Sequence, residues 1–253
     1  MDMEDAPSPN FNDRKFPVDM LVLHYTGMAT AEAAVERLRD TEAQVSSHYV
    51  VGETGRIWRL VPEALRAWHA GVSSWQGDED LNSRSIGIEI ANGGWDMPLP
   101  DGTPPPYPDV QIDAVIALCQ SILARHAIPQ ARIVAHSDIA PARKDDPGEH
   151  FPWARLATHG IGLWPGSADT SNLMGKGVDA DASGAAVERL QDAFAAIGYG
   201  VRRTGKLDAQ TMDVVRAFQR RFVQDRVSGL VDLKTAATLE RVRALYASSV
   251  PSS

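Results

Sequence analysis

The chain has 253 residues, of which 43% are hydrophobic, and its formal net charge at pH 7 is −8. This length predicts one or two domains with a buried core. The negative charge argues against a nucleic-acid partner, because neutralising a phosphate backbone requires clustered Lys and Arg side chains. With a single cysteine, Cys119, an internal disulfide is excluded.

The N-terminal residues Met1 to Asp5 are acidic and lack the apolar stretch of a secretory signal peptide. Nowhere does the chain approach the roughly 20 consecutive apolar residues of a membrane span. As written, the sequence therefore predicts a soluble cytoplasmic protein. The periplasm or cell envelope is the alternative, if an export signal has been removed.

Apolar runs and turn formers alternate over the first 61 residues. Pro17 to His24 is predicted to be a strand, and Thr30 is predicted to cap a helix that extends to Arg39. Segments 46–51 and 56–61 flank Gly52-Glu53-Thr54-Gly55, a pattern that predicts a β-hairpin.

His48 and Tyr49 are neighbours in the first strand of this hairpin, so they point to opposite faces of the sheet. One of them is a candidate to line a cleft, although residues on strand faces are more often packed in the core. Trp68, His69 and Gly71 follow in a loop. An indole and an imidazole in such a loop indicate a ligand wall, with anchoring of the loop by Trp68 as the alternative.

The segment from 98 to 135 predicts a surface insertion, a helix and a strand. Residues 98–108 are Pro-rich, and after Asp109 the residues from Ile112 to Leu123 carry apolar side chains at helical spacing. Ile128-Pro129 is predicted to end this helix, and Ile133-Val134-Ala135 is an apolar run. The alternation of strands and helices along the chain predicts an α/β fold with a mixed central sheet flanked by helices.

Two histidines, His24 and His136, each stand at the end of an apolar strand. A loop, residues 137–148, follows His136 and contains Lys144 and Asp146. Two prolines restrict the backbone of this loop. Neutral imidazoles and carboxylates are good Zn²⁺ ligands, and a catalytic site uses three protein ligands and leaves the fourth position to water. A charged loop after a His is, on its own, more often just solvated.

Glu89 lies within the apolar strand Ser85–Ile90. It is either a paired carboxylate of the core or a functional group. Because no nearby residue in the sequence explains an acid among isoleucines, the functional interpretation is favoured.

Four stretches together carry a family resemblance: LHYT around His24, AWHAG at 67–71, SIGIEI at 85–90 and AHSDIAPARKDDPG at 135–148. They resemble the AmpD/AmiD-like zinc amidases of the N-acetylmuramoyl-L-alanine amidase type 2 family, in the same order along the chain. The resemblance implies the following site residues: zinc ligands His24, His136 and Asp146, the catalytic carboxylate Glu89, the cation Lys144 beside the scissile carbonyl, and substrate-groove contacts from His69 and its neighbour Trp68. Tyr49 is our further candidate for a substrate contact.

The implied reaction is hydrolysis of the amide between N-acetylmuramic acid and L-alanine in peptidoglycan or muropeptides. Zinc would lower the pKa of water to about 7 and polarise the carbonyl. Glu89 would move the proton, and Lys144 would stabilise the oxyanion. The alternatives are a non-catalytic peptidoglycan recognition module and a zinc peptidase that acts on the stem peptide. The choice between an anhydromuropeptide and intact wall stays open.

Residues 165–184 are rich in Gly, Ser, Asp and Ala, which predicts a linker between a catalytic domain, 1–164, and a helical domain, 185–253. The metal-ligand candidates all precede the linker. We therefore expect the first domain to fold alone and to cleave a small soluble muropeptide without the second.

The helical domain contains an internal repeat, in which residues 205–211 match residues 229–235. Asp208 and Asp232 occupy equivalent positions, and each can cap the helix that follows it. The stretches LQDAFAAIGY and VVRAFQRRF resemble the three-helix peptidoglycan-binding domain found beside many wall hydrolases. The resemblance implies wall binding, and a structural or docking role is the alternative.

Overall fold

The described residues of this computed structural model are 2–166, 177 and 182–249. Most of the predicted linker, residues 167–176 and 178–181, lies outside them. All the strands lie before residue 136, and only helices follow in the described part of the chain. The strands are β1 Glu4–Asp5, β2 Phe11–Asp13, β3 Met20–Tyr25, β4 Tyr49–Val51, β5 Ile57–Arg59, β6 Leu65–Ala67, β7 Ser85–Ile90 and β8 Ile133–Ala135. The α-helices are α1 Ala31–Arg39, α2 Leu81–Arg84, α3 Asp109–Leu123, α4 His136–Ile139, α5 Trp153–Thr158, α6 Ala185–Ile197, α7 Ala209–Phe222 and α8 Leu233–Ser249.

Six of the strands form one mixed sheet in the order β1-β5-β4-β7-β3-β8. The neighbours β4, β7, β3 and β8 run parallel, whereas β5 is antiparallel to β4. Strands β2 and β6 pair in a small antiparallel sheet. The predicted fold class, a mixed sheet flanked by helices, is confirmed.

The central strands β3 and β7 are apolar along most of their length because both faces of the sheet are covered. On one face, Leu21 and Leu23 pack with residues of α3 and α5. On the other, Met20 and Val22 pack in a cluster that includes side chains of α6, α7 and α8. His24 continues this second series with period 2, so its side chain lies on the face that the C-terminal helices cover.

Helix α1 begins where the sequence predicts. The Thr30 hydroxyl accepts a hydrogen bond from the Ala33 N–H at 3.2 Å and thereby caps the helix. The predicted hairpin is present as β4 and β5, with three residues in each strand. The first long strand begins at Met20, three residues later than Pro17.

The internal repeat of the C-terminal helices is a repeated hydrogen-bonding unit. In the first copy, Gln191 accepts from the Gly205 N–H at 2.9 Å and donates to the Thr211 hydroxyl at 2.9 Å. The second copy is equivalent: Gln219 accepts from Gly229 and donates to Thr235. Asp208 and Asp232 cap α7 and α8, as predicted.

Within the described residues, no helix combines the length and apolar character that crossing a membrane requires.

Candidate metal centre and active-site cleft

Three side chains from three elements converge at the carboxyl ends of β3 and β8. Leu23 pairs with Ala135 in the parallel register, so the next residues, His24 and His136, leave the sheet edge side by side. Nδ1 of His24 lies 2.9 Å from Nδ1 of His136, and Asp146 Oδ2 lies 3.1 and 3.0 Å from these two nitrogens. All three side chains are buried.

The tautomer of His24 is set by a chain of three hydrogen bonds behind it. The Ser85 hydroxyl donates to the carbonyl oxygen of Leu81 at 2.6 Å, so it accepts from Nε2–H of His69 at 3.2 Å. Nδ1 of neutral His69 then accepts from Nε2–H of His24 at 3.0 Å. The remaining ring nitrogen of His24, Nδ1, therefore presents a lone pair to Asp146 and His136.

His136 has the same orientation for a simpler reason. Its Nε2 lies 3.2 Å from the carbonyl oxygen of Ala70, which can only accept. Nε2 therefore carries the hydrogen, and Nδ1 presents its lone pair to the centre. A carbonyl or carboxylate behind the distal nitrogen is the usual way in which proteins fix a metal-ligating imidazole.

Two lone pairs and a carboxylate oxygen thus meet in a buried space with no hydrogen between them. Burial, with His136 as the next cause, lowers the pKa of His24 to about 4, so the ring is neutral at pH 7. Such a donor set is repulsive unless a cation lies among the three atoms.

The dimensions fit a small divalent ion. The three ligand atoms form a nearly equilateral triangle with edges of 2.9 to 3.1 Å. A tetrahedral Zn²⁺ with bonds near 2.0 Å has edges of about 3.3 Å. His24, His136 and Asp146 also form the group of candidate ligands identified among the described residues.

Glu89 stands beside this centre with one oxygen unpaired. It pairs with His24 in the register of β3 and β7, so both side chains leave the same face of the sheet. Oε2 is buried and has no hydrogen-bond partner in the described part of the chain. Burial, and then the charge of Asp146, raises the pKa of Glu89 well above its ordinary value, while Lys144 acts in the opposite direction. A buried, unpaired carboxyl facing a cleft is a candidate for proton transfer.

Lys144 is half-buried and lines the same cleft, and within the described residues it forms no ion pair. The cation is therefore available to a ligand. Further side chains of mixed charge line the cleft around it. These are His24, Tyr25, Arg37, Trp68, His69, Glu89, Asp96, His136, Arg143, Asp145 and Asp146.

The predicted substrate contacts have three different positions. Trp68 lies in the cleft wall, where its indole N–H donates to Asn12 Oδ1 at 2.7 Å. His69 also reaches the cleft, but it is only 8% exposed and both its nitrogens are engaged, so its main contact is with His24.

Tyr49 requires a correction, because the structure does not bring it to the cleft. In the register of the sheet, its neighbour Val50 pairs with Glu89 and shares the face of the site. Tyr49 therefore points to the opposite face. There it packs in the core, and its hydroxyl donates to Glu63 Oε1 at 2.7 Å. His48, on the site face, packs behind His69 with ring centroids 5.7 Å apart.

Several site residues were missed in the sequence. Ser85 gives no signal, because a serine at the start of a strand is common. Arg37 lies on the exposed side of a regular helix, and Asp96 in a loop. Arg143 donates to the backbone oxygen of Val72 at 2.6 Å. It lies in the stretch 135–148 that carries the family resemblance, and this position could have indicated a role in the site.

The chain is similar to known proteins in both its N-terminal and its C-terminal parts. A family model for N-acetylmuramoyl-L-alanine amidases matches residues 14–149, and a peptidoglycan-binding domain model matches residues 183–239. The N-acetylmuramoyl-L-alanine amidase AmiD of Escherichia coli is 38% identical over 237 residues, which cover 90% of this chain and 83% of AmiD.

Two solved structures are similar over nearly the whole chain. The complex of E. coli AmiD with anhydro-N-acetylmuramic acid-L-Ala-D-γ-Glu-L-Lys has a TM-score of 0.77 at 37% identity and covers 90% of both chains. AmpDh3 of Pseudomonas aeruginosa, in complex with anhydromuramic pentapeptide, has a TM-score of 0.75 at 35% identity and covers 90% of this chain and 92% of its own.

Proposed function

The chain belongs to the N-acetylmuramoyl-L-alanine amidase family, and from this premise we propose that His24, His136 and Asp146 bind one catalytic Zn²⁺. The observation that carries the proposal is the convergence of two imidazole lone pairs and a carboxylate, with both distal ring nitrogens tied to hydrogen-bond acceptors. Three protein ligands at one side of an open cleft leave a position for water or substrate.

The reaction is hydrolysis of the amide that joins the lactyl group of N-acetylmuramic acid to L-alanine. Zn²⁺ bound at this centre would lower the pKa of water and polarise the carbonyl oxygen. Glu89 accepts the proton of the attacking water and returns it to the leaving amine. Burial raises the pKa of this carboxyl, and a cation bound nearby would lower it, so the carboxyl could both accept and return a proton.

Lys144 is proposed to stabilise the oxyanion that forms at the scissile carbonyl. Its side chain enters the cleft without an ion pair among the described residues, so substrate need not displace an internal partner. Losing one such donor typically raises the barrier by about 2.7–4 kcal/mol.

We propose a soluble anhydromuropeptide as a substrate, because related amidases have been crystallised with such fragments. The stem peptide of these fragments carries carboxylates. Arg37 and Arg143, which line the cleft, are suited to bind them, and Trp68 supplies an apolar wall. Glu89 and Lys144 at the metal centre disfavour the purely recognising alternative.

For the C-terminal helices we propose a second, wall-binding role. The match of residues 183–239 to a peptidoglycan-binding domain supports it. The division at 165–184 remains a prediction. If the proposal holds, full-length protein should be retained by insoluble sacculi in a pull-down.

Mass spectrometry of digests tests the function directly. Incubation with anhydro-N-acetylmuramyl tetrapeptide should release the free tetrapeptide, which begins with L-alanine. Cleavage at any bond within the peptide would instead identify a stem-peptide peptidase. Intact sacculi, digested in parallel, determine whether polymeric wall is also a substrate.

A further inference from the structure

The C-terminal helices contact the loop and turn that carry two of the proposed metal ligands. Two adjacent arginines on α7, Arg220 and Arg221, lie against residues 133–146. We propose that Arg221 and Tyr199 are positioning residues for the metal centre, and that the C-terminal unit therefore completes the catalytic site in addition to any binding role. This inference depends on the metal assignment proposed above.

Arg221 bridges the two sides of the turn that presents His136. Its Nη1 contacts the carboxylate Oδ2 of Asp138, two residues after His136, in an ion pair of which both side chains are fully buried. Its Nη2 donates to the carbonyl oxygen of Ile133, three residues before His136, at 2.8 Å. The guanidinium also lies over the ring of Trp153, with 4.2 Å between Cζ and the ring centroid. The strand end and the helix start are thus held at a fixed spacing.

Tyr199 holds the other oxygen of the same carboxylate. Its hydroxyl donates to Asp138 Oδ1 at 2.7 Å, while Oδ2 accepts the Ala135 N–H at 2.9 Å. The Asp138 carboxylate therefore has partners from two segments of the C-terminal unit and from the backbone just before His136. A carboxylate with both oxygens held by three partners in this way has little freedom to rotate.

The same turn is tied to the third ligand. The Ser137 N–H donates to the carbonyl oxygen of Asp146 at 3.0 Å, so a shift of the turn moves both ligands. Arg220 forms an ion pair with Asp145 at 2.7 Å, next to that ligand. Gln224 donates to the carbonyl oxygen of Phe151 at 2.7 Å, beyond the end of the loop.

Simple docking of a helical unit does not require this arrangement. A buried ion pair contributes little net stability compared with apolar packing of the same volume, because both charges lose their hydration. The ion pair instead fixes the relative orientation of the two groups, because a planar guanidinium contacts its partners at two defined points and an apolar contact does not. The two points here flank His136.

Two tyrosines of the same core provide a matched test. Tyr199 and Tyr246 both pack edge-on against Trp75, with ring centroids 5.0 and 6.1 Å away. Tyr199 contacts Asp138, whereas the buried Tyr246 hydroxyl has no hydrogen-bond partner in the described part of the chain. Tyr199→Phe and Tyr246→Phe make the same chemical change and differ in that contact.

The experiment uses full-length protein stripped of metal and titrated with Zn²⁺ in competition with a chromogenic chelator. We expect Tyr199→Phe to weaken Zn²⁺ binding by about three- to tenfold and to change the visible absorption spectrum of the Co²⁺-substituted protein. Tyr246→Phe should match the parent in both. Equal behaviour of the two variants, whether both unchanged or both weakened, would overturn the proposal, because packing alone would then account for the data.

Arg221→Met and Arg221→Lys extend the test. Arg216→Met is the control, because Arg216 lies on the same helix and pairs with Asp213 within it. Arg221→Met should weaken Zn²⁺ binding about tenfold or more, and Arg221→Lys, which keeps the charge, should restore part of the loss. If Arg221→Met does not fold, the tyrosine pair decides. Folded Arg221→Met with parental Zn²⁺ affinity would refute the positioning role.

These outcomes are separable from failure of the metal assignment itself. If the parent protein binds no Zn²⁺, the proposed function is wrong. If the parent binds Zn²⁺ and the Tyr199 and Arg221 variants bind it equally well, the function stands and this inference alone fails.

Discussion

His24 and Glu89 occupy the same register position on the neighbouring parallel strands β3 and β7. The proposed first metal ligand and the proposed proton carrier are therefore separated by one strand spacing, about 4.8 Å between backbones. Their distance is set by the hydrogen-bonded ladder of the sheet and not by a loop. This relationship allows the two roles to be separated by mutation.

We expect Glu89→Gln to bind Zn²⁺ with near-parental stoichiometry and to lose about 10²- to 10⁴-fold in kcat on a soluble anhydromuropeptide. The amide has nearly the same volume but cannot accept the proton. Metal content by atomic absorption and initial rates by chromatography check both halves. Loss of metal together with activity would make Glu89 a ligand or a support of one.

We expect His136→Ala to lose tightly bound Zn²⁺, because two protein ligands remain of three. His159→Ala is the matched control, since His159 is exposed at the end of α5. Equilibrium dialysis against Zn²⁺ distinguishes the two. Stoichiometric zinc in His136→Ala would disprove the ligand assignment.

Removing the hydroxyl of Ser85 should lower the Zn²⁺ affinity, although Ser85 is not a proposed metal ligand. Ser85→Ala deprives Nε2–H of His69 of its acceptor, so the hydrogen-bond chain no longer selects the tautomer of His24. We expect about a tenfold loss of Zn²⁺ affinity. Ser47→Ala serves as the control, because the buried Ser47 hydroxyl donates to the Gly87 carbonyl oxygen and not to a histidine. Equal affinities in the two variants would contradict the tautomer chain.

The metal-free protein should become more stable as pH rises from about 4 to 6.5. Burial, with Arg14 as the next cause, lowers the pKa of His48 to about 3, from 6.5 in the unfolded chain. Between these values the unfolded state binds more protons, so the free energy of unfolding increases with pH. Urea unfolding at a series of pH values gives the free energy of unfolding of His48→Gln and of the parent. In this window that free energy should rise less steeply with pH in His48→Gln, by up to about 1.4 kcal/mol per pH unit. Above pH 7 the slopes should coincide. Parallel curves throughout would mean that His48 is not a buried neutral imidazole.

The contacts of Arg221 change the expectation for truncation. From the sequence, residues 1–164 were expected to act alone on a small substrate. Truncation, however, removes both Arg221 and Tyr199 from the Asp138 carboxylate, so the turn that presents His136 loses the two side-chain contacts that hold it. We now expect the truncated chain to bind Zn²⁺ weakly and to cleave soluble muropeptide slowly. Full-rate cleavage by a stable truncated protein would restore the earlier expectation.

The sequence was sufficient for the parts of the molecule that depend on local pattern. Short apolar runs located β3 and β7, and Thr30 marked the start of α1. The proposed ligands His24 and His136 could be selected because each ends an apolar run, and parallel neighbours bring such ends together.

Two kinds of feature could not be predicted from the sequence: the register of short strands, and contacts between residues far apart in the chain. The choice between His48 and Tyr49 for the site face requires the register of β4 against β7, which a three-residue strand does not reveal. The pairing of Arg221 with Asp138 joins residues 83 positions apart. An arginine in an amphipathic helix is ordinarily expected in solvent, so its burial gave no local signal.

Both imidazoles present Nδ1, the ring nitrogen closer to Cβ, to the centre. The cation would thus lie only a few bonds from the ends of β3 and β8, whose spacing the sheet holds constant. A larger ion such as Cd²⁺ needs longer bonds, and wider separation of the donor atoms would strain the backbone ladder. The site is therefore expected to bind Zn²⁺ in preference to larger ions such as Cd²⁺, because the rigid sheet limits how far the donor atoms can separate.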